Sequence, residues 1–242
     1  MSPVEPHKLY GELATWWPLL SPPSHYVEEA ADLLPRLLGA CAGKPRTLLE
    51  LGAGGGSLAF HLKAHFELTL TDRSEAMSAV SRAVNPECEH RSGDMRSLRL
   101  DREFDLVLIH DAIMYLTDPD SVRAALATAA LHCRIGGGLA LLPDCVRESF
   151  APRTSTGGED GPDGRALRYL EWRFDRDPQD QVFEVAFAFL LREGDAIRVE
   201  RDHHTFGLFS REEWFGWIRE AGFAPESRID PWGREVFVGR RR

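Results

Sequence analysis

"TLLELGAGGGSLAFHL" (residues 47–62) opens as a short apolar run with one acid, Glu50. It then places four glycines and an alanine in five positions, and continues as an amphipathic segment. The order reads as strand, tight turn, helix. Glycine suits such a turn because it adopts positive φ and lets a ligand approach the backbone N–H groups at a helix start. On either side the period alternates. "RTLLEL" (46–51), "FELTLTD" (66–72), "FDLVLIHD" (104–111) and "GLALLPD" (138–144) are β-rich, and helical patterns lie at 57–64, 74–84 and 119–133. This alternation predicts an α/β fold with a parallel sheet, whose ligands sit at the carboxyl ends of the strands where strand order reverses. Glu50, Asp72 and Asp111 then share one rim.

The 242 residues carry 38 acids against 29 Lys and Arg, a net charge of −9, and 43% of them are hydrophobic. That balance provides a full core and argues against a phosphate-neutralising surface, so no nucleic-acid partner is expected. Arg240–Arg242 reads as a solvated tail. Cys41, Cys88, Cys133 and Cys145 lack paired spacing, the first residues show no leader pattern, and no apolar run reaches membrane-spanning length. A reduced, cytoplasmic protein with no membrane partner is the expectation, and nothing indicates an oligomer.

Residues 27–42, "VEEAADLLPRLLGACA", read as a helix carrying Pro35. After Pro143 the texture changes. A Gly-, Pro- and Asp-rich loop (151–164) leads into three strand-like runs, which predict an antiparallel insertion. "SREEWFGWIREAGF" (210–223) follows as a helix with Ser210 as N-cap, Glu213 completing a capping box and Gly222 as C-cap, and "REVFVGRR" is the last strand. The expected units are 1–45 as a helical lid with the first helix, 46–143 as the cofactor core, 144–207 as an insertion roofing the site, and 208–242 completing the core.

Asp72 stands twenty residues after Gly52, at the end of the next strand, where one carboxylate can bind two ribose hydroxyls. "SGDMRSL" (92–98) follows a third strand and offers Asp94 to an adenine amino group beside the apolar Met95. A nicotinamide cofactor remains open on these residues, with Ser57 at the third small position of that pattern.

"LLELGAGGG", "TDRSEAM", "GDMRSL" and "FDLVLIHDAIMYL" together resemble the four successive motifs of class I S-adenosylmethionine-dependent methyltransferases. The resemblance implies a Rossmann-like sheet of seven strands with the last antiparallel, and S-adenosyl-L-methionine as cofactor. It places Glu50, Gly52, Ala53 and Gly54 at the methionine part, Asp72 at the ribose with Arg73 and Met77 beside it, and Asp94 and Met95 at the adenine. His110 brackets the cofactor and begins the substrate cavity. A narrower similarity, carried by "LYGELA", "HYVEEA", "GDMR", "MYL" and "FGLFSREEWFGWIREAGF", is to N-methyltransferases of nucleotide-linked amino sugars. It implies that Tyr10 faces substrate and Tyr26 lies near the methionine end, with Trp16 and Trp17 in a segment folded over the cofactor.

Methyl transfer needs alignment, exclusion of water and, for an acidic nucleophile, a base. In "HDAIMY" (110–115), His110 can take a proton, while Asp111 or Tyr115 can orient an amine. Trp16 and Trp17 offer aromatic faces to a cation, worth ~0.5–2 kcal/mol, with one of the two expected to touch ligand. No metal is expected. "HLKAH" has helical zinc-pair spacing at His61 and His65 but no third ligand, and adjacent His203 and His204 face opposite sides of a strand, one of them looking beneath the insertion. Methylation of a small-molecule amine leads. O- or C-methylation of a hydroxylated product with His110 as base, a non-catalytic cofactor-binding protein, and a nicotinamide oxidoreductase are the alternatives.

Overall fold

The computed structural model describes residues 7–242; the first six, where the sequence shows no leader pattern, lie outside the described residues. Two sheets organise the chain. The larger takes the order β10-β11-β5-β4-β1-β2-β3. Its strands are β1 (Thr47–Leu51), β2 (Glu67–Asp72), β3 (Glu89–Ser92), β4 (Phe104–Ile109), β5 (Cys133–Leu141), β10 (Phe223–Ile229) and β11 (Glu235–Arg241). β1 to β5 are mutually parallel, and β11 runs antiparallel to both β5 and β10. Strand order therefore reverses between β1 and β4, which brings the ends of those two strands, Glu50 and His110, to one crevice.

Helices α2 (Val27–Ala40), α3 (Ala59–Leu62), α4 (Glu75–Val84), α5 (Pro119–His132) and α6 (Arg211–Glu220) cover the sheet. One face buries Leu33 and Leu37 of α2 against Leu48, Leu106 and Leu108; the other buries Leu126 and Ala129 of α5 with Val107, Ile109 and Phe237. Each fully buried large side chain there contributes about 1.5–3 kcal/mol. Caps set the helix starts. The Ser74 hydroxyl accepts from Met77 N, the Asp118 carboxylate from Ser121 N, and Ser210 with Glu213 closes the expected capping box.

The second sheet, β6-β7-β8-β9, is antiparallel throughout: β6 (Arg153–Gly157), β7 (Arg165–Phe174), β8 (Val182–Glu193) and β9 (Ala196–Gly207). Its inner face, through Leu167, Phe189 and Leu191, packs on Leu9, Leu13, Trp16 and Leu19 of an N-terminal segment that ends in the short helix α1 (Trp17–Leu20). Phe183, Val185 and Phe206 join the main core. Among the described residues, no helix is long and apolar enough to cross a membrane.

Several details differ from the sequence reading. β6 lies inside the expected loop 151–164, because Thr154 and Thr156 pair with the edge of β7. β10, "FAPESRI", is too polar and Pro-bearing to read as a strand, yet β11 pairs with its whole length. Ala221 is the C-cap of α6, and Gly222 follows it at φ 89°. The terminal arginines are not a free tail: Arg240 and Arg241 belong to β11, where their guanidinium groups donate to the carbonyls of Gly39 and Ala221.

Candidate active site

Gly52 and Ala53 both donate their N–H to the Thr71 carbonyl, which folds the loop tightly onto the end of β2. Gly52, Gly54 and Gly56 have φ of 78°, 55° and 74°, the left-handed region that a side chain disfavours. Space is the second constraint. A Cβ at Gly52 would overlap Ala112, and one at Gly55 would overlap the indole of Trp17. The Trp17 Nε1–H is buried without a partner among the described residues, whereas Trp16 is 4% exposed and packed between the N-terminal segment and the insertion. Of the two tryptophans, Trp17 stands on the glycine loop and Trp16 holds a core position.

Carboxylates dominate the rim. Glu50 is 2% exposed and its Oε2 has no partner among the described residues, so burial, reinforced by Asp72, Asp111 and Glu29 against the pull of His110, raises its pKa to about 7. Asp72 accepts from Gly54 N at 2.9 Å and Ser74 N at 2.7 Å, while burial pushes it above the ordinary Asp range. Arg73 is exposed beyond it, and the buried Met77 packs beneath Gly54. Across the loop Met95 lies against Gly52, and Asp94 holds Arg96 in a two-pronged ion pair.

His110 ends β4 among these acids. Its Nε2 lies 2.5 Å from Glu29 Oε1 and its Nδ1 3.2 Å from Asp111 Oδ2. Burial works to lower its pKa, but the Asp111 charge and the Glu29 hydrogen bond prevail and raise it to about 9. The ring is thus an imidazolium at neutral pH, with Nε2–H donated to Glu29 and Nδ1 within ion-pair range of Asp111. That state weighs against the general-base role that His110 has in the O- or C-methylation alternative and leaves it to hold the neighbouring carboxylates. Arg234, from the turn before β11, joins the cluster by pairing with Glu29 at 2.7 Å and Asp230 at 2.8 Å. Glu29 is held down to about 2: burial raises it, and His110 and Arg234 outweigh that. Burial pushes Asp111 up against the attraction of His110. The Glu29 and Arg234 roles were hidden in the sequence: Glu29 stands in "HYVEEA", where only Tyr26 drew attention, and Arg234 stands in no recognisable motif.

Behind this cluster are the tyrosines. Tyr10 and Tyr115 hydroxyls meet at 2.6 Å, and Tyr115 also bonds His204 Nδ1 at 2.7 Å. Burial lifts Tyr115 well above its ordinary value and Tyr10 likewise. Tyr26 bonds Ser21 at 2.7 Å, with its ring 6.3 Å from that of His110. His61 bonds the Pro23 carbonyl. His204 is the inward member of the His203–His204 pair, and donor atoms of His7, Asp202 and His204 lie within 4.8 Å of one another.

Comparison with known proteins gives concordant results. Residues 48–137 match the methyltransferase domain family. A Streptomyces venezuelae dTDP-3-amino-3,4,6-trideoxy-alpha-D-glucopyranose N,N-dimethyltransferase is 29% identical over 217 residues, covering 88% of this chain and 90% of that protein. The crystal structure of Streptomyces venezuelae DesVI is similar with a TM-score of 0.80 and 25% identity, covering 90% of this chain and 92% of that one. The S-adenosylmethionine-bound structure of CalS10, an amino pentose methyltransferase from Micromonospora echinaspora, gives 0.77 and 26%, with coverage of 89% and 91%.

Two stability measurements test the electrostatics. For His110 the folded pKa is raised, so its contribution is present below about 6.5 and lost as pH rises through about 9; Glu29, being depressed, contributes above its ordinary value near 4.5. Denaturant unfolding of His110→Asn should show a loss of ~1–3 kcal/mol at pH 6 that shrinks by pH 9.5. Glu50 has the opposite effect: with a pKa raised from 4.5 to about 7 in the fold, it costs the ligand-free protein stability as pH rises from the first value to the second, and the full cost remains above 7. Glu50→Gln should therefore stabilise the ligand-free protein by ~1–3 kcal/mol at pH 8 and by less at pH 5.

Proposed function

The matched family and the fold make this chain an S-adenosylmethionine-dependent methyltransferase of the class I type, and we propose that it N-methylates the amino group of a nucleotide-linked sugar. One observation carries the choice of nitrogen: His110, at the end of β4, has Nε2 hydrogen-bonded to Glu29 and Nδ1 3.2 Å from Asp111 Oδ2, so both its ring nitrogens face carboxylates. A hydroxyl or carbon acid needs a base at that point. A free amine does not, because its own lone pair attacks and alignment does the rest. The similarity to the Streptomyces dimethyltransferase supports a 3-amino sugar on a nucleotide as the acceptor class.

The residues fit the cofactor on two grounds. The loop is shaped so that a Cβ would fill it at Gly52 and Gly55, and two buried polar atoms, Glu50 Oε2 and Trp17 Nε1, have no partner among the described residues. In this reading Glu50, Gly52, Ala53 and Gly54 take the methionine end with Tyr26 nearby. Asp72, with Arg73 and Met77 beside it, takes the ribose, and Asp94 and Met95 take the adenine. S-adenosylmethionine supplies, when bound, an electrophilic methyl group on a sulfonium that departs as a neutral thioether. Glu50 answers that positive charge: a carboxyl near pKa 7 is driven to its anion when a cation arrives. Trp17 covers the loop and keeps water out. His110, carrying its protons on both ring nitrogens, holds Glu29 and Asp111 at the rim. Tyr10 and Tyr115 orient the amine, with the inner face of the insertion behind them. The four units 1–45, 46–143, 144–207 and 208–242 then serve as lid, cofactor core, roof and core completion.

The test is methyl transfer to a dTDP-linked 3-amino sugar, set beside the corresponding 3-hydroxy sugar and a phenol. The amine alone should be methylated, and His110→Asn should keep substantial turnover at alkaline pH. Methylation of the hydroxyl compound, or a deep His110→Asn defect that persists at high pH, would overturn the assignment. Cofactor affinity supplies a second check. Binding should tighten as pH rises from 6 to 8, as Glu50 ionises, and Asp72→Ala should weaken it by at least about tenfold through the loss of charge-assisted hydrogen bonds. Titration calorimetry reads both.

A further inference from the structure

β9 alternates its side chains across the insertion sheet, so Asp202 and His204 both face inward while His203 faces out. The inward pair meets His7, the first described residue of the N-terminal segment, whose ring packs 4.1 Å from that of His204. Donor atoms of all three side chains lie within 4.8 Å of one another. His204 is fully buried, and its Nδ1 is taken by the Tyr115 hydroxyl at 2.7 Å. Its Nε2 stands 3.0 Å from Asp202 Oδ2, near enough for a hydrogen bond, yet it has no hydrogen-bond partner among the described residues, so the angle is what fails. A buried ring nitrogen thus aims to one side of a carboxylate oxygen, with a second imidazole beside both. Phe187 and Phe206 wall the His204 ring at 5.0 and 5.9 Å.

We propose that His7, Asp202 and His204 bind one divalent cation of the zinc class, which fastens the N-terminal segment to the insertion. The donor set selects the ion: two imidazole nitrogens and one carboxylate oxygen suit Zn²⁺, whereas Mg²⁺ and Ca²⁺ favour oxygen alone. The spacing agrees. Two ligands ~2.0–2.1 Å from one tetrahedral Zn²⁺ stand ~3.3 Å apart, close to the separation of Nε2 and Oδ2, and the nitrogen lone pair then points at the ion and away from the line between the two donors. His7 closes the remaining ~1.5 Å at most by turning its side chain, and water takes the fourth position. The surroundings are those of a metal ligand. His204, holding the ion through Nε2, gives its Nδ1–H to Tyr115, Asp202 Oδ2 keeps the Leu9 N–H that it accepts at 2.8 Å, and the two phenylalanines limit water. Tyr10 follows His7 closely in the chain and bonds Tyr115 at 2.6 Å, so the ion ties down the stretch that carries the tyrosine pair. Sequence spacing, which led to the expectation of no metal, hides the site because His7 comes from the opposite end of the chain. No step of methyl transfer passes through the ion, and the site stands whatever the acceptor is.

The test is calorimetric titration of the full chain, free of any histidine tag and stripped with a chelator, with Zn²⁺ as the probe. One equivalent should bind with a micromolar or lower dissociation constant. Loss of an outer-shell partner in a metal site typically costs ~10–100-fold in affinity, so loss of a ligand in His7→Ala or His204→Gln should cost at least ~100-fold. His65→Ala, which breaks the exposed helical pair with His61, should leave the affinity within about twofold. His204 is deeply buried and its variant can fail to fold; His7 is half-buried at the start of the segment, and circular dichroism checks that His7→Ala keeps the fold. With Co²⁺ in place of Zn²⁺, the visible spectrum should show nitrogen and oxygen ligation without thiolate charge-transfer absorption, which excludes the four cysteines. The fastening is read by amide hydrogen exchange over residues 8–13, which should slow by at least ~10-fold on adding Zn²⁺ to the parent protein and not to His7→Ala. No binding at millimolar Zn²⁺, one-to-one binding that survives His7→Ala unchanged, or a thiolate band would overturn the site. Binding that needs His7 but leaves the exchange of the segment unaltered would overturn its role as a clamp.

Discussion

Negative charge is concentrated at one end of the larger sheet. Glu29, Glu50, Asp72 and Asp111 arrive there from four separate stretches of the chain, and two cations, the His110 imidazolium and the Arg234 guanidinium, stand among them. The imbalance explains why burial raises Glu50 and Asp111 while Glu29, which accepts hydrogen bonds from both cations, stays ionised. It also ties the architecture together. Arg234 reaches the cluster from the turn between β10 and β11, so the far hairpin is fixed to the helix α2 that carries Glu29. A rim with surplus carboxylate is unfavourable for an empty protein and favourable for one that binds a positively charged molecule.

The core of the fold could be read from the chain because its elements obey local rules. β1, β2 and β4 are apolar runs closed by polar residues, and α4, α5 and α6 start at Ser74, Asp118 and Ser210, each of which caps with its own side chain. What escaped notice depends on partners remote in sequence. β10 becomes a strand because β11 supplies its hydrogen bonds, and β6 because β7 does; alone, "FAPESRI" and "RTSTG" have too little apolar pattern to show it. The site divides in the same manner. Glu50, Asp72 and the glycines follow from spacing and turn chemistry. The protonation state of His110 does not, because Glu29 lies 81 residues earlier and nothing near it in sequence points to the pairing.

Polar chemistry also enters from the insertion, which at first sight is only a roof. Its inner face is apolar where it meets Leu9, Leu13 and Leu19, and becomes polar at Asp202 and His204, where it meets the tyrosines. A single strand thus supplies both the grip on the N-terminal segment and the group that bonds Tyr115. That economy follows from the two-residue period of β9, since Glu200, Asp202, His204 and Phe206 all share one face.

The N-terminal segment touches both halves of the site at once. Trp17 covers Gly55, the Ser21 carbonyl accepts from Ser57, and Tyr10, a few residues earlier, meets Tyr115 beneath the insertion. These contacts belong to one short stretch of chain and move as one cover. Displacing Trp17 from Gly55 would pull on the same strand of chain that carries Tyr10, so the glycine loop and the tyrosine pair are covered together or uncovered together.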